Sequence, residues 1–293
     1  MDLKAYLRDK RALVDDALKA VFPEPQGPSA DVVRAMTYSL FAGGKRLRPI
    51  LCIGGAEAVG AEGRTVLPFA CSLELIHTYS LIHDDLPVMD NGDLRRGKPT
   101  NHKVFGEAVA LLAGDGLLTE AFRLMAGTSG VDPRSLLRVI HLVGSAAGYQ
   151  GMVGGQVVDI QSEGKPVDRA LVDFIHSHKT GALIHASVTS GAILGQGTEE
   201  QVKAISFYGE KIGLAFQIAD DILDVEGDSK TMGKGVGGDA SKKKITFPAA
   251  VGLQKAKEIQ SRLVEDAVGA LKGFDEKADP LRSLAVYIIE RKK

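Results

Sequence analysis

Apolar residues recur at three- and four-residue intervals along nearly the whole chain, and the two-residue alternation of a half-buried strand is almost absent. This periodicity predicts helices over about residues 1–20, 30–42, 50–60, 65–86, 105–127, 133–150, 168–195, 199–225, 246–271 and 279–291. Local signals set several of the ends. Ser29 stands as the N-cap of the second helix, with Asp31 in its first turn, and Gly43 and Gly44 stop that helix before Pro49 opens the next. No linker separates the segments. The expected fold is all-α, a single domain over residues 1–293 built as a helical bundle around a large central cavity.

The pattern is most informative where it breaks. Residues 72–97 read SLELIHTYSLIHDDLPVMDNGDLRRG, an apolar helix that ends in Asp84, Asp85 and Asp90 just ahead of Arg95 and Arg96. Like charges that close repel, and desolvated ones need partners, so the group implies a guest that carries both signs. A magnesium-bound diphosphate fits: carboxylate oxygens hold the metal and guanidinium forks take phosphate oxygens. Six residues at 100° each leave Asp84 and Asp90 about 120° apart on an ideal helix, but Pro87 cannot continue the hydrogen bonding and should let the chain swing Asp90 back. Leu73, Ile76, His77 and Ser80 share the helical face of Asp84.

A second acidic run, Asp220, Asp221 and Asp224 in FQIADDILD, places Asp220 and Asp224 four residues apart on one helical face. The separation along the chain suggests two helices facing each other across the cavity. The turn FAGGKRLRP adds Lys45, Arg46 and Arg48 at a helix N-terminus, where backbone N–H groups also favour anions. Residues 225–245 carry five glycines and five lysines and read as a lid-like loop.

Composition narrows the classes. A net charge of −1 gives no overall attraction for nucleic acid, and no Walker-type or GxGxxG run supports a nucleotide fold. No apolar run nears the roughly 18 residues of a membrane span, and the charged N-terminus is not a signal peptide, so a cytoplasmic protein without membrane insertion is expected. Cys52 and Cys71 lie in apolar helical patterns without metal-ligand spacing and read as buried thiols.

LIHDDLPVMDNGDLRRGKPTNHKVFGE resembles the first aspartate-rich motif of the trans-prenyltransferases, the farnesyl and geranylgeranyl diphosphate synthases, in its DDxxxxD form. FQIADDILDVEGD resembles their second motif, GGKRLRP their isopentenyl diphosphate site and GKGVGGDASKKKITFP their phosphate-covering loop, in the same order along the chain. The resemblance implies the isoprenoid synthase fold, a homodimer, and three Mg²⁺ ions per active site held by Asp84, Asp85, Asp90 and Asp220. It implies that Arg95, Lys179 and Lys234 hold the allylic diphosphate, and that Gly44, Lys45, Arg48, His77 and Arg96 bind isopentenyl diphosphate. Thr180 and Gln217 would face the reacting allylic carbon, and Asp239 and Lys244 would close over the site.

The expected reaction is condensation of isopentenyl diphosphate with dimethylallyl and geranyl diphosphates to farnesyl diphosphate. Geranylgeranyl diphosphate synthesis is the near alternative, and a non-catalytic subunit of a heteromeric synthase a more distant one. A terpene cyclase has no use for the second diphosphate site. Tyr79, five residues before Asp84 and beside the small Ser80, is expected to limit product length. Two features depart from the family pattern: Asn91 and Gly92 stand where many relatives carry aspartates, and Gly116 stands where Ala is common, which would enlarge the tail pocket.

Overall fold

The computed structural model describes residues 1–22, 24–226 and 245–290. Its helices are α1 (Leu3–Val21), α2 (Ala30–Leu40), α3 (Leu47–Ala58), α4 (Leu67–Asp84), α5 (Asn101–Phe105), α6 (Glu107–Ala126) and α7 (Pro133–Ala147). They continue as α8 (Met152–Ser162), α9 (Arg169–Ile175), α10 (Ala182–Leu194), α11 (Glu199–Glu226), α12 (Phe247–Val251), α13 (Leu253–Ala270) and α14 (Asp279–Glu290). A π turn, His176–Gly181, joins α9 to α10. The strands among the described residues are β1 (Leu94–Arg95) and β2 (Lys98–Pro99), so the protein is all-α.

Glycine accounts for two of the differences from the periodicity. The single helix expected over 105–127 is interrupted at Gly106 (φ 81°), and the one over 246–271 at Gly252 (φ 83°), a backbone region that costs other residues dearly. Helix α8 was not expected, because Gly151, Gly154 and Gly155 lower its propensity. Ser29 makes no side-chain capping bond; the Ala30 N–H instead donates to the Gly27 carbonyl.

The chain divides into two compact units, one of Lys4–Ile50 and Arg64–Val131, the other of Met1–Leu3, Leu51–Gly63 and Asp132–Lys293. Within the first unit α4 is buried round its whole circumference, from Phe69 to Ile82, with α6 and α2 packed beside it. A side chain at Gly114 on α6 would collide with the His83 ring. A Cβ at Gly116 would stand 3.0 Å from the sulfur of Met36, so the space expected there is filled by a side chain of α2.

The same unit hides an ionic knot. Arg46 has φ 52° and is 2% exposed, turned away from the basic residues on either side of it. Its guanidinium meets Asp15 at 2.7 Å and Glu74 at 2.9 Å and donates to the Leu40 carbonyl at 2.8 Å. Burial works to lower its pKa, but the charges and hydrogen bonds of Glu74 and Asp15 carry it above the usual value. Beside Glu74, burial pushes the Cys71 thiol up to about 12, which leaves it inert near neutral pH.

In the second unit α10 is almost wholly buried between α7 and α11. Gly191 allows the Cys52 carbonyl of α3 to approach its backbone, and Gly55 does the same for the Val188 carbonyl, so two glycines fit α3 onto α10. Tyr208 is fully buried and donates to the Leu281 carbonyl at 2.7 Å, tying α11 to α14. Among the described residues no helix is long and apolar enough to cross a membrane.

Removing one member of a buried ion pair leaves the other without compensation. Arg46→Ala should therefore lower the unfolding free energy by about 3–5 kcal/mol, read from urea denaturation, with a smaller loss when Glu74→Leu is combined with Arg46→Met.

Candidate functional site

The first acidic motif lies where α4 ends. The helix stops at Asp84, three residues before Pro87, and the Asp90 N–H then donates to the Asp84 carbonyl at 2.9 Å. That bond closes the excursion and brings Asp90 back beside Asp84. The loop is stitched further by Asn91 N–H to the Leu86 carbonyl at 3.1 Å, by Gly92 N–H to the Asp85 carbonyl at 3.2 Å and by the Thr100 hydroxyl to the Gly92 carbonyl at 2.6 Å. A Cβ at Gly92 would stand 3.0 Å from the Asp85 carboxylate, so a bare glycine suits the position.

Past the loop, β1 and β2 pair antiparallel, Leu94 with Pro99 and Arg95 with Lys98. Arg96 (φ 54°) and Gly97 (φ 77°) form the two-residue turn whose positive φ angles match the twist of a tight hairpin. The hairpin sends its two arginines to different partners. Arg95 grips Asp85 with both arms of the fork, Nε to Oδ2 at 2.7 Å and Nη2 to Oδ1 at 2.8 Å. Arg96 donates to the Gly43 carbonyl and lies on the face of Gly44 (φ 135°), where any side chain would strike the guanidinium.

Asp85, expected among the metal ligands, meets Arg95 in this way. It is 5% exposed and both its oxygens are held by Arg95, so it anchors that arginine. Burial opposes the Arg95 charge, yet Asp85, with Asp84 and Asp90 adding their fields, holds its pKa above the usual value.

The basic turn sorts in the same way. Arg46 goes to the core, while Lys45 is exposed and Arg48 half-buried. Arg96 sits among cations: burial lowers its pKa, Glu74 opposes, and Arg46, Arg95 and Arg11 push it down further. His77 feels the same crowd, since burial and then Arg48, Arg96, Arg95 and Arg46 hold its imidazole well below 6.5. Burial is the larger cause for both groups, and the arginines that add to it bring positive charge that would draw an anion.

The second motif belongs to the other unit. Asp220 is exposed and Asp224 and Gln217 are half-buried on one face of α11, and Gln217 Nε2 donates to Asp220 Oδ2 at 3.3 Å. Asp221 points elsewhere and is buried at 8% exposure. Lys179 and Thr180 stand in the π turn, a rare element that recurs at functional sites. A Cβ at Gly155 of α8 would collide with the Lys179 backbone, and one at Gly213 of α11 would stand 2.9 Å from the Gly181 Cα, so bare glycines press on the turn from both sides.

Lys179 Nζ meets Asp159 Oδ2 at 2.6 Å. Asp159 was not singled out from sequence, although a lone acid amid the apolar residues of VVDIQ was the available signal. Lys234, Asp239 and Lys244 lie outside the described residues.

The donor set suits magnesium. Among the described residues no group of three or more His, Cys, Asp or Glu side chains is arranged to hold a metal ion. Mg²⁺ takes one or two carboxylates and completes its shell with substrate phosphate and water, which matches pairs such as Asp84 with Asp90.

The unfolded chain protonates His77 at its ordinary 6.5, while the folded chain does not. Below that value the unfolded state binds the extra proton, so this residue takes stability away as pH falls through about 6.5 and none above it. In thermal melts, His77→Gln should lose less stability than the wild type between about pH 7.5 and pH 5.5.

Comparison with known proteins gives concordant findings. Residues 30–284 match the Polyprenyl synthetase family. The chain is 49% identical to a heterodimeric geranylgeranyl pyrophosphate synthase large subunit of Arabidopsis thaliana, covering 99% of this chain and 80% of that one. It is 47% identical to a farnesyl diphosphate synthase of Geobacillus stearothermophilus, covering 94% and 93%. The geranylgeranyl pyrophosphate synthetase structure from Pyrococcus horikoshii superposes with a TM-score of 0.91 at 32% identity, covering 99% of this chain and 98% of that one.

Proposed function

The chain belongs to the polyprenyl synthetase family, and from that premise we propose that it is a magnesium-dependent trans-prenyltransferase whose main product is farnesyl diphosphate. It acts as a single catalytic domain, in the cytoplasm, as a homodimer. The observation that carries the reading is the sorting of each charged motif into an inward anchor and accessible partners, with carboxylates and cations presented together around α4.

Asp84, Asp90 and Asp220 would hold the metal, which supplies charge neutralisation on the allylic diphosphate when bound. Lys179, tethered by Asp159, and Arg95, tethered by Asp85, hold that diphosphate as it departs. The carbonyl oxygen of Gln217 and the hydroxyl of Thr180 face the allylic carbocation that remains. Lys45, Arg48, Arg96 and neutral His77 hold isopentenyl diphosphate so that its double bond attacks that cation, and the departing diphosphate takes the proton then released. The second diphosphate site separates this reading from a terpene cyclase.

Product length rests on Tyr79. It is 6% exposed on α4, its ring 5.6 Å from the His83 ring in an edge contact. The His83 Nε2 lies 3.0 Å from the Leu111 carbonyl and the ring abuts Gly114, so Tyr79 rests on a fixed neighbour. The Ser80 hydroxyl bonds its own helix at the His77 carbonyl, 2.8 Å away, and leaves the bulk to Tyr79. Five residues along a helix set Tyr79 about 7.5 Å before Asp84 along the axis, a depth at which its ring would stop a fourth isoprene unit. With Met36 filling the position beside Gly116, no extra room opens there. The competing reading is a C20 product, favoured by the name of the Arabidopsis relative.

Incubation with isopentenyl and dimethylallyl diphosphates and Mg²⁺, followed by mass analysis, should yield mainly the C15 diphosphate. A mainly C20 product would overturn the length assignment, and no condensation would overturn the activity. Asp84→Ala and Asp220→Ala should fold yet turn over about 10³ to 10⁴ more slowly. Tyr79→Ala should shift the product to C20 or longer; an unchanged distribution would remove Tyr79 as the determinant.

A further inference from the structure

The second acidic run holds one buried carboxylate, Asp221, that the reaction above does not use. Asp221 Oδ2 accepts the backbone N–H of Phe247 at 2.7 Å and stands 3.2 Å from Nε2 of His176. These residues come from three segments. His176 opens the π turn that carries Lys179 and Thr180, Asp221 follows Asp220 on α11, and Phe247 opens α12.

All three are buried. His176 is 5% exposed, and its ring lies at 18° to the fully buried Phe247 ring with centroids 6.0 Å apart. Phe247 in turn packs in one apolar cluster with Val172 of α9, Ile218 and Ile222 of α11, and Ile245. Thr246 occupies the N-cap position of α12 but makes no capping bond, so Asp221 satisfies the Phe247 N–H from another helix. Among the described residues His176 Nδ1 has no hydrogen-bond partner, so Asp221 and the Phe247 ring fix the imidazole between them.

A π turn is an uncommon conformation that needs support from outside itself. Gly155 and Gly213 press on its later residues, and the contact with Asp221 secures its first. We propose that Asp221 and His176 are positioning residues: their contact sets the π turn, and with it Lys179 and Thr180, in register with Asp220 and Gln217 on α11. Phe247 N–H fixes the carboxylate that makes the contact. This inference rests on the reading that Lys179 and Asp220 serve the allylic diphosphate.

The test compares Asp221→Ala, His176→Phe and Asp221→Asn with the wild type in steady-state kinetics, each normalised to folded protein by circular dichroism. Phenylalanine keeps the stacking and loses the polar contact, whereas asparagine keeps an acceptor for Phe247 and a polar partner for His176. Asp221→Ala and His176→Phe should raise the allylic KM or lower kcat by roughly 10- to 100-fold while the KM for isopentenyl diphosphate stays within about 3-fold. Asp221→Asn should recover most of that loss. The double variant, Asp221→Ala with His176→Phe, should be no worse than the poorer single one, because both remove the same contact. Should Asp221→Ala not fold, the contrast between His176→Phe and Asp221→Asn carries the test.

Variants that melt earlier but keep wild-type kinetics, or that change both KM values alike, would overturn the inference and leave a purely structural role. A wild type without condensation activity would instead defeat the functional reading itself, so the two failures are distinguishable.

Discussion

A charge withdrawn from water must find a partner, and much of this molecule's site architecture follows from that requirement. Each charged motif contributes one residue to the interior. Arg46 pairs with Glu74 and Asp15, Asp85 with Arg95, and Asp221 meets His176 and the Phe247 N–H. Their neighbours in sequence, Lys45 and Arg48, Asp84 and Asp90, Asp220 and Asp224, keep access to solvent. The inward members fix the backbone that presents the outward ones.

That division suits a reaction in which charge is moved rather than a protein bond formed. Stabilising a departing diphosphate depends on cations that are already in place and need not reorganise. In the proposed reaction Arg95 and Lys179 would meet that requirement, because Asp85 and Asp159 hold them. The crowded arginines around His77 have the complementary property, a positive field that an arriving anion relieves.

Helix positions were largely legible because a buried stripe imposes its period on the sequence. Helix α8 was not, since its glycines weaken the signal and are tolerated because Gly155 lets the backbone come against Lys179. Nor could sequence separate Asp85 from Asp84, or Arg46 from Arg48. The first distinction arises where α4 ends and the hairpin delivers Arg95, and the second from a positive φ at Arg46, which the three basic residues within 45–48 do not announce. The π turn was hidden for a similar reason: its periodicity merges with the helices on either side, and only packing across α8 and α11 shows it. The acids, the basic turn and Lys179 were all visible as motifs, but their partners were not.

The central claim is that the accessible carboxylates and cations together hold a magnesium-bound diphosphate. Calorimetric titration of inorganic diphosphate into the wild-type protein, with Mg²⁺ and again with EDTA, tests it directly. The account predicts binding at least about 100-fold tighter with the metal, because bare diphosphate meets the repulsion of the aspartates. Equal affinity in the two titrations would contradict it.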